Sequence, residues 1–164
     1  MDVGHVVTVG GEVHNIWWFR NPVTGSSRYA FVGEEAPGSL GASSAGDIHV
    51  VDVSDMSNPR EVAFYHAPGA GTHNFSMDEP REILYAAYYN GGVQAVDVRG
   101  DLSACSAAQR SDDGRCDLER MGRTLALGLQ QVGQPFVWGV QYTGSALYAS
   151  DMINGLWKLR PYLR

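Results

Sequence analysis

The chain has 164 residues, 44% of them apolar and 18% charged, with a formal net charge of -6; this is the balance of a folded soluble domain and excludes a disordered chain. Its 12 Lys and Arg residues are scattered without a basic cluster, which argues against nucleic acid as a partner. No apolar run approaches the roughly 20 residues that a membrane-spanning helix needs.

The first residues, "MDVGHVVTVGGEVHN", lack the basic region and apolar core of a signal peptide, so either the chain is cytosolic or its true beginning lies upstream of Met1. From there on the apolar segments are short and broken by Gly, Pro, Asn and Ser, the pattern of an all-β fold with tight turns. Residues 1–12 carry one such segment, "HVVTVG". Residues 13–67 carry four: "NIWWF" after His14 and Asn15, "YAFVG", "IHVVDV" beyond a Gly/Ser/Ala-rich loop, and "EVAFYH". Residues 72–130 repeat the series as "NFSMD" after His73 and Asn74, "LYAAY", "VQAVDV" and "TLALGL". The insertion "DLSACSAAQRSDDGRCDLERMG" precedes the last of these. The window 118–131 is the one stretch open to a helical reading, which two glycines and a threonine weaken. Residues 135–160 give three segments, "VWGVQY", "LYASD" and "LWKLR".

Aligning the units on their apolar runs makes Phe31, Tyr85 and Tyr148 equivalent, and likewise Ile48, Val93 and Leu156. Four short antiparallel strands with a glycine turn before the third describe the blade of a β-propeller. In that reading 1–12 is the fourth strand of a preceding blade, 13–67 a blade, 72–130 a blade with a Cys-containing insertion, and 135–160 three strands of a final blade. Closed propellers use about 4 to 8 blades, so this segment would be completed by missing N-terminal blades or by a homodimer. In the homodimer, strand exchange would close a ring of about six blades.

At "DIHVVDVSDMSNPREVAFY" the sequence resembles the LVIVD-repeat proteins, through Val50, Val51, Asp52, Val53, Ser54, Asp55, Asn58 and Pro59. The second unit keeps Ala95, Val96, Asp97 and Val98 and then departs, and the third has Arg160 in place of the Asp. The resemblance implies a propeller, commonly secreted or surface-attached in bacteria, so an extracytoplasmic location follows if the chain belongs to a longer precursor. His14 and His73 are also similar, more distantly, to positions in the selenium-binding-protein propellers, which implies metal-dependent thiol oxidation; that family's other histidine motifs are absent.

The start of an innermost propeller strand lies beside the central channel, which makes His14, Asn15, His73 and Asn74 candidate ligand-binding residues and adds Trp138 for stacking. Imidazole ligates metals and titrates near neutral pH. The third unit, however, offers Phe136 and Val137 in this register, and a His-Asn pair can equally satisfy backbone groups between blades. The tips of the central strands form a second candidate set, Glu34, Glu35, Tyr88, Tyr89 and Asp151, able to bind a polar ligand or simply solvated. Asp52 and Asp97, with Asn58 and Pro59, read as structural turn residues. Trp17, Trp18 and Trp157 read as packing between blades. Cys105 and Cys116, within one insertion, predict a disulfide, with free thiols as the alternative.

No Gly-x-Ser-x-Gly, phosphate loop, Cys-x-x-Cys or His-Glu-x-x-His occurs. The sequence therefore reads as a non-catalytic binding or scaffold module with no assigned cofactor. A transition metal at His14 and His73 belongs to the alternative, a metal-dependent oxidase-like propeller.

Overall fold

The computed structural model describes residues 3–162. The protein is all-β, as its composition and turn pattern predict, and among the described residues it has no α-helix. The first sheet orders β1 (Val13–Trp18), β2 (Tyr29–Glu34), β5 (Ile48–Asp52), β6 (Arg60–Tyr65) and β10 (Cys116–Asp117). Between β2 and β5 the Gly/Ser/Ala-rich loop makes a small hairpin of β3 (Ala36–Pro37) and β4 (Ser44–Ala45). The second sheet orders β11 (Thr124–Gly128), β9 (Val93–Asp97), β8 (Ile83–Ala87) and β7 (Phe75–Asp78). The third orders β12 (Val137–Tyr142), β13 (Leu147–Asp151) and β14 (Gly155–Leu159). Every pairing of named strands is antiparallel except β10 on β6.

The sheets stack in chain order, and the alternation of β8 shows how. Successive side chains on a strand point to opposite faces. Leu84 and Ala86 therefore join a core with Phe31, Ile48 and Val50 of the first sheet. Ile83, Tyr85 and Ala87 join another with Val137, Leu147 and Ala149 of the third. A strand covered on both faces can be apolar throughout, and β8 is buried along its length. The opening strands lie side by side, β1 next to β7 and β7 next to β12.

Turn chemistry follows the aspartates. Asp52 accepts the Ser54 amide at 3.0 Å, Asp97 the Arg99 amide at 3.1 Å and Asp101 the Ser103 amide at 2.9 Å, each a side-chain turn two residues long. The Asn58 amide donates to the Asp55 carbonyl at 3.0 Å, just before Pro59. Gly92, at φ 73, ends the "YYNGG" turn where a Cβ would run into the Gly128 carbonyl oxygen, so this position requires glycine twice over.

The strand read at "TLALGL" is β11. Two expectations change. Residues 5–10 form no strand; they cross the outside of the first sheet, where the Val9 amide donates to Glu61 at 2.9 Å. Trp18 is 55% exposed because it lies on the outer face of the first sheet, which no other sheet covers, whereas Trp17 and Trp157 pack against the two cores. The insertion is also more than a surface loop. Leu102, Cys116 and Leu118 are buried in the core between the first two sheets, and Cys105 and Cys116 meet at disulfide distance with Cα atoms 5.9 Å apart. Burying each leucine stabilises the fold by about 1.5 to 3 kcal/mol.

A candidate cation site at the strand bulges

Each opening strand begins with an irregularity. In the first sheet Val13 pairs with Glu34 and Asn15 with Gly33, leaving His14 as the extra residue of a β-bulge. In the third sheet Val137 pairs with Asp151 and Gly139 with Ser150, leaving Trp138 as the extra residue. In the second sheet the His73 amide donates to the Ala87 carbonyl at 2.8 Å while the Ala87 amide donates to the Asn74 carbonyl at 2.9 Å, so two residues share one partner. Bulges re-aim a side chain and gather at functional sites. The structurally equivalent positions are therefore His14, His73 and Trp138, and not Phe136–Val137 in the third unit. Matching by apolar runs alone does not register the extra residue.

The three side chains converge. The His14 and His73 rings lie 4.1 Å apart between centroids, and Trp138 stands edge-on to His73 at 5.2 Å. Glu35 arrives from the end of β2. Its Oε2 is 2.8 Å from His14 Nδ1 and its Oε1 is 3.6 Å from His73 Nε2. The donor atoms of His14, Glu35 and His73 all lie within 4.8 Å of one another. Tyr89 arrives from the end of β8 and donates its hydroxyl to Glu35. Its φ of 41° is unusual for a non-glycine residue. The backbone is held there by reciprocal 3.0 Å hydrogen bonds with Val137.

His73 is oriented from behind. Its Nδ1–H donates to the Trp138 carbonyl at 2.7 Å, which leaves Nε2 with the lone pair, and the Trp138 indole N–H donates to that atom. Burial, and then the nearby His14, push the His73 pKa below the ordinary imidazole value, against the opposing pull of the Trp138 carbonyl and Glu35. The charged or titratable groups facing it are His14, Glu35 and Tyr89. A neutral imidazole with one nitrogen fixed to a carbonyl is the form that ligates metal. Burial, followed by the hydrogen bond to Glu35, pushes the Tyr89 phenol well up, so it acts as a hydrogen-bond donor.

The sign of the resulting pH dependence is fixed. The unfolded chain protonates His73 near its ordinary pKa of about 6.5, whereas the folded chain does so only at lower pH. Stability contributed by neutral His73 is thus present above about pH 6.5 and lost as the pH falls through and below that value. The urea midpoint of the cation-free protein is expected to drop between about pH 7.5 and pH 5.5, and a His73→Asn variant to show a smaller drop. Equal drops in both would contradict this.

The remaining candidates separate by strand parity. Glu34 points away from Glu35, accepting the Asp47 amide at 3.1 Å and lying 3.4 Å from His49. Tyr88 is fully buried in the core, with its hydroxyl donating to the Tyr65 carbonyl at 3.1 Å, and does not reach the cluster. Asn15 spans the first two sheets, its amide donating to the His73 carbonyl and lying 3.4 Å from Asn74 Oδ1. Asn15 thus ties the two sheets together beside the cluster, with the Asn74 side chain as a second acceptor. Asp151 is 4% exposed, and its oxygens accept the amides of Phe136 at 3.2 Å, Ile153 at 2.9 Å and Asn154 at 3.1 Å. Although burial raises its pKa, the hydrogen bond from the Asn154 side chain and those from these amides outweigh the effect and lower it, so Asp151 is a structural carboxylate. Asp151→Ala would strand three amides and is expected to cost about 2 kcal/mol in chemical unfolding; an unchanged midpoint would contradict this assignment.

A second ionic cluster lies apart from the bulges and was not singled out in the sequence. His49, fully buried in β5, sits 2.8 Å from Glu61, which also takes Arg115 from the insertion. Its one sequence signal is a histidine inside the apolar run "IHVVDV".

Comparison with protein-family models, with curated proteins and with solved structures returns no match for this chain.

Proposed function

We propose that this chain is a β-propeller-type segment acting as a binding module, and that the ligand at its strand bulges is a divalent transition-metal ion held by His14, Glu35 and His73. The observation that carries the reading is the convergence of two imidazoles and a carboxylate, donor atoms within 4.8 Å, from equivalent bulges and an adjacent strand end. A tetrahedral ion with bonds of about 2.0 to 2.1 Å sets its ligands about 3.3 Å apart, so the set closes on an ion by a modest contraction. Two nitrogens and one oxygen suit zinc, copper, nickel or cobalt better than calcium or magnesium. The groups behind the ligands have the character of outer-shell partners: the Trp138 carbonyl orients His73, and Tyr89 orients Glu35. An entering ion must displace the indole N–H from His73 Nε2, which Trp138, 44% exposed, has room to allow.

The propeller reading rests on the repeated strand order, the side-by-side opening strands and the resemblance to LVIVD repeats. The cysteine pair at bonding distance is compatible with an oxidising, extracytoplasmic location. Metal analysis of protein purified without a histidine tag tests the function. About one transition-metal ion per chain after loading and desalting is expected, and retention no greater than in a His14→Ala/His73→Ala variant would refute it.

A second reading, redox catalysis at a copper ion, is favoured by Tyr89 and Trp138, both in ring contact with His73, and by three protein ligands leaving an open position. Copper-dependent consumption of dioxygen with two thiols, giving a disulfide and hydrogen peroxide, would establish it over simple binding.

A further inference from the structure

Among the described residues the third sheet has three strands, one fewer than the second. β6 and β11 occupy the fourth position of the first two sheets, whereas among the described residues the outer edge of β14 pairs with no strand. Between the first two sheets the two fourth strands face each other, the Tyr65 hydroxyl of β6 reaching Gln94 at 3.0 Å and Thr124 of β11 at 3.1 Å, whereas among the described residues β11 meets no fourth strand of the third sheet. Between the second and third sheets the corresponding space is an apolar cleft of about 430 Å³, lined by Leu127, Leu129, Val132, Trp157 and Leu159. An unpaired edge beside an apolar cleft is an acceptor for an added strand.

The chain carries a segment of matching pattern with no strand partner. "HVVTVG", residues 5–10, follows the apolar pattern of "EVAFYH" in β6 and "TLALGL" in β11. Where it lies, Val7 is 74% and Val9 51% exposed, while Thr8 is buried with its hydroxyl lacking a hydrogen-bond partner. Valines outside and an unpaired hydroxyl inside reverse what burial favours. The sheet face it crosses is itself poorly covered, with Ile16 64% and Trp18 55% exposed.

We propose that residues 5–10 of a second copy of this chain add to the free edge of β14 and fill the adjacent cleft, so that two reciprocal exchanges make a closed two-fold dimer. The second copy is the occupant because it supplies both halves of the match: the valine segment that fits the cleft, and a third sheet to cover the exposed face of the first. The inference rests on the propeller-type reading of the stacked sheets and is independent of the cation site.

Light scattering and sedimentation of the full chain, with and without Val6→Pro/Val7→Pro, test it. Of two successive amides on an added edge strand one faces β14, and proline removes it, so Val7→Pro is made together with Val6→Pro; both residues lie outside the cores. The expected mass is twice 17.8 kDa, falling to that of one chain in the variant, with β14 amides protected from hydrogen exchange only in the dimer. A single-chain mass for the unaltered protein, a dimer indifferent to Val6→Pro/Val7→Pro, or a higher oligomer overturns the proposal. Cation titration of the same samples separates the readings: a monomer that binds metal sinks the exchange alone, and a dimer that does not bind sinks the cation site alone.

Discussion

Replacing His73 with alanine is expected to weaken zinc or copper binding by more than about 100-fold, or roughly 2.8 kcal/mol, measured by calorimetric titration. Loss of an outer-shell partner alone costs about 10- to 100-fold, and in the proposed site His73 is an inner ligand, its Nε2 lying 3.6 Å from Glu35. The substitution also removes the Nδ1–H bond to the Trp138 carbonyl, at about 1 kcal/mol of folding stability, so the variant should remain folded and its lost affinity remain interpretable. Two companions grade the effect. Glu35→Gln keeps the side chain's shape but removes the charge that offsets the ion, and should approach the His73→Ala result. Tyr89→Phe deletes only the hydroxyl that orients Glu35, and a loss of about 10-fold is expected. An affinity unchanged in His73→Ala would show that the metal sits elsewhere.

Reduction of the Cys105–Cys116 pair is expected to destabilise the protein by about 2 to 3 kcal/mol, because an 11-residue separation closes a loop whose freedom in the unfolded chain is restored. For a domain of this size the melting temperature should fall by about 5 to 10 °C. The setting explains why local loosening would spread. Cys116 lies in β10, which pairs with β6 and covers the edge of the first sheet, and the neighbouring Arg115 is paired with the buried Glu61. Burial pushes the Glu61 pKa up, but the hydrogen bonds from His49, the Val9 amide and Arg115 outweigh it and hold the carboxylate below the usual range. Coincident melts with and without reductant would show that the cysteines are unbridged.

The strands themselves were legible because each apolar run is bounded by glycine, proline or an aspartate turn, as in "VVDVSD" before Asn58 and Pro59. All members of the cation cluster were also visible as candidates, but in two separate sets: His14, His73 and Trp138 at strand starts, and Glu35 and Tyr89 at strand ends. Their meeting depends on a bulge that adds one residue to an opening strand and on the left-handed backbone of Tyr89, and neither leaves a mark in apolar periodicity. Parity separates the paired candidates. Glu34 and Tyr88 precede Glu35 and Tyr89 by one position, and on an extended chain that turns them to another face. Asp151 looked like a ligand because it occupies the equivalent tip, yet the amides of its own turn use its oxygens. The insertion read as a loop because its leucines are isolated among polar residues, whereas long-range packing buries Leu102 and Leu118.

The most direct test of the cation site is anomalous diffraction at the zinc edge from crystals of the zinc-loaded protein. A single strong peak about 2.0 to 2.2 Å from His14, Glu35 and His73 is the expected result. A peak only at the exposed His66, or none within the cluster, would contradict it.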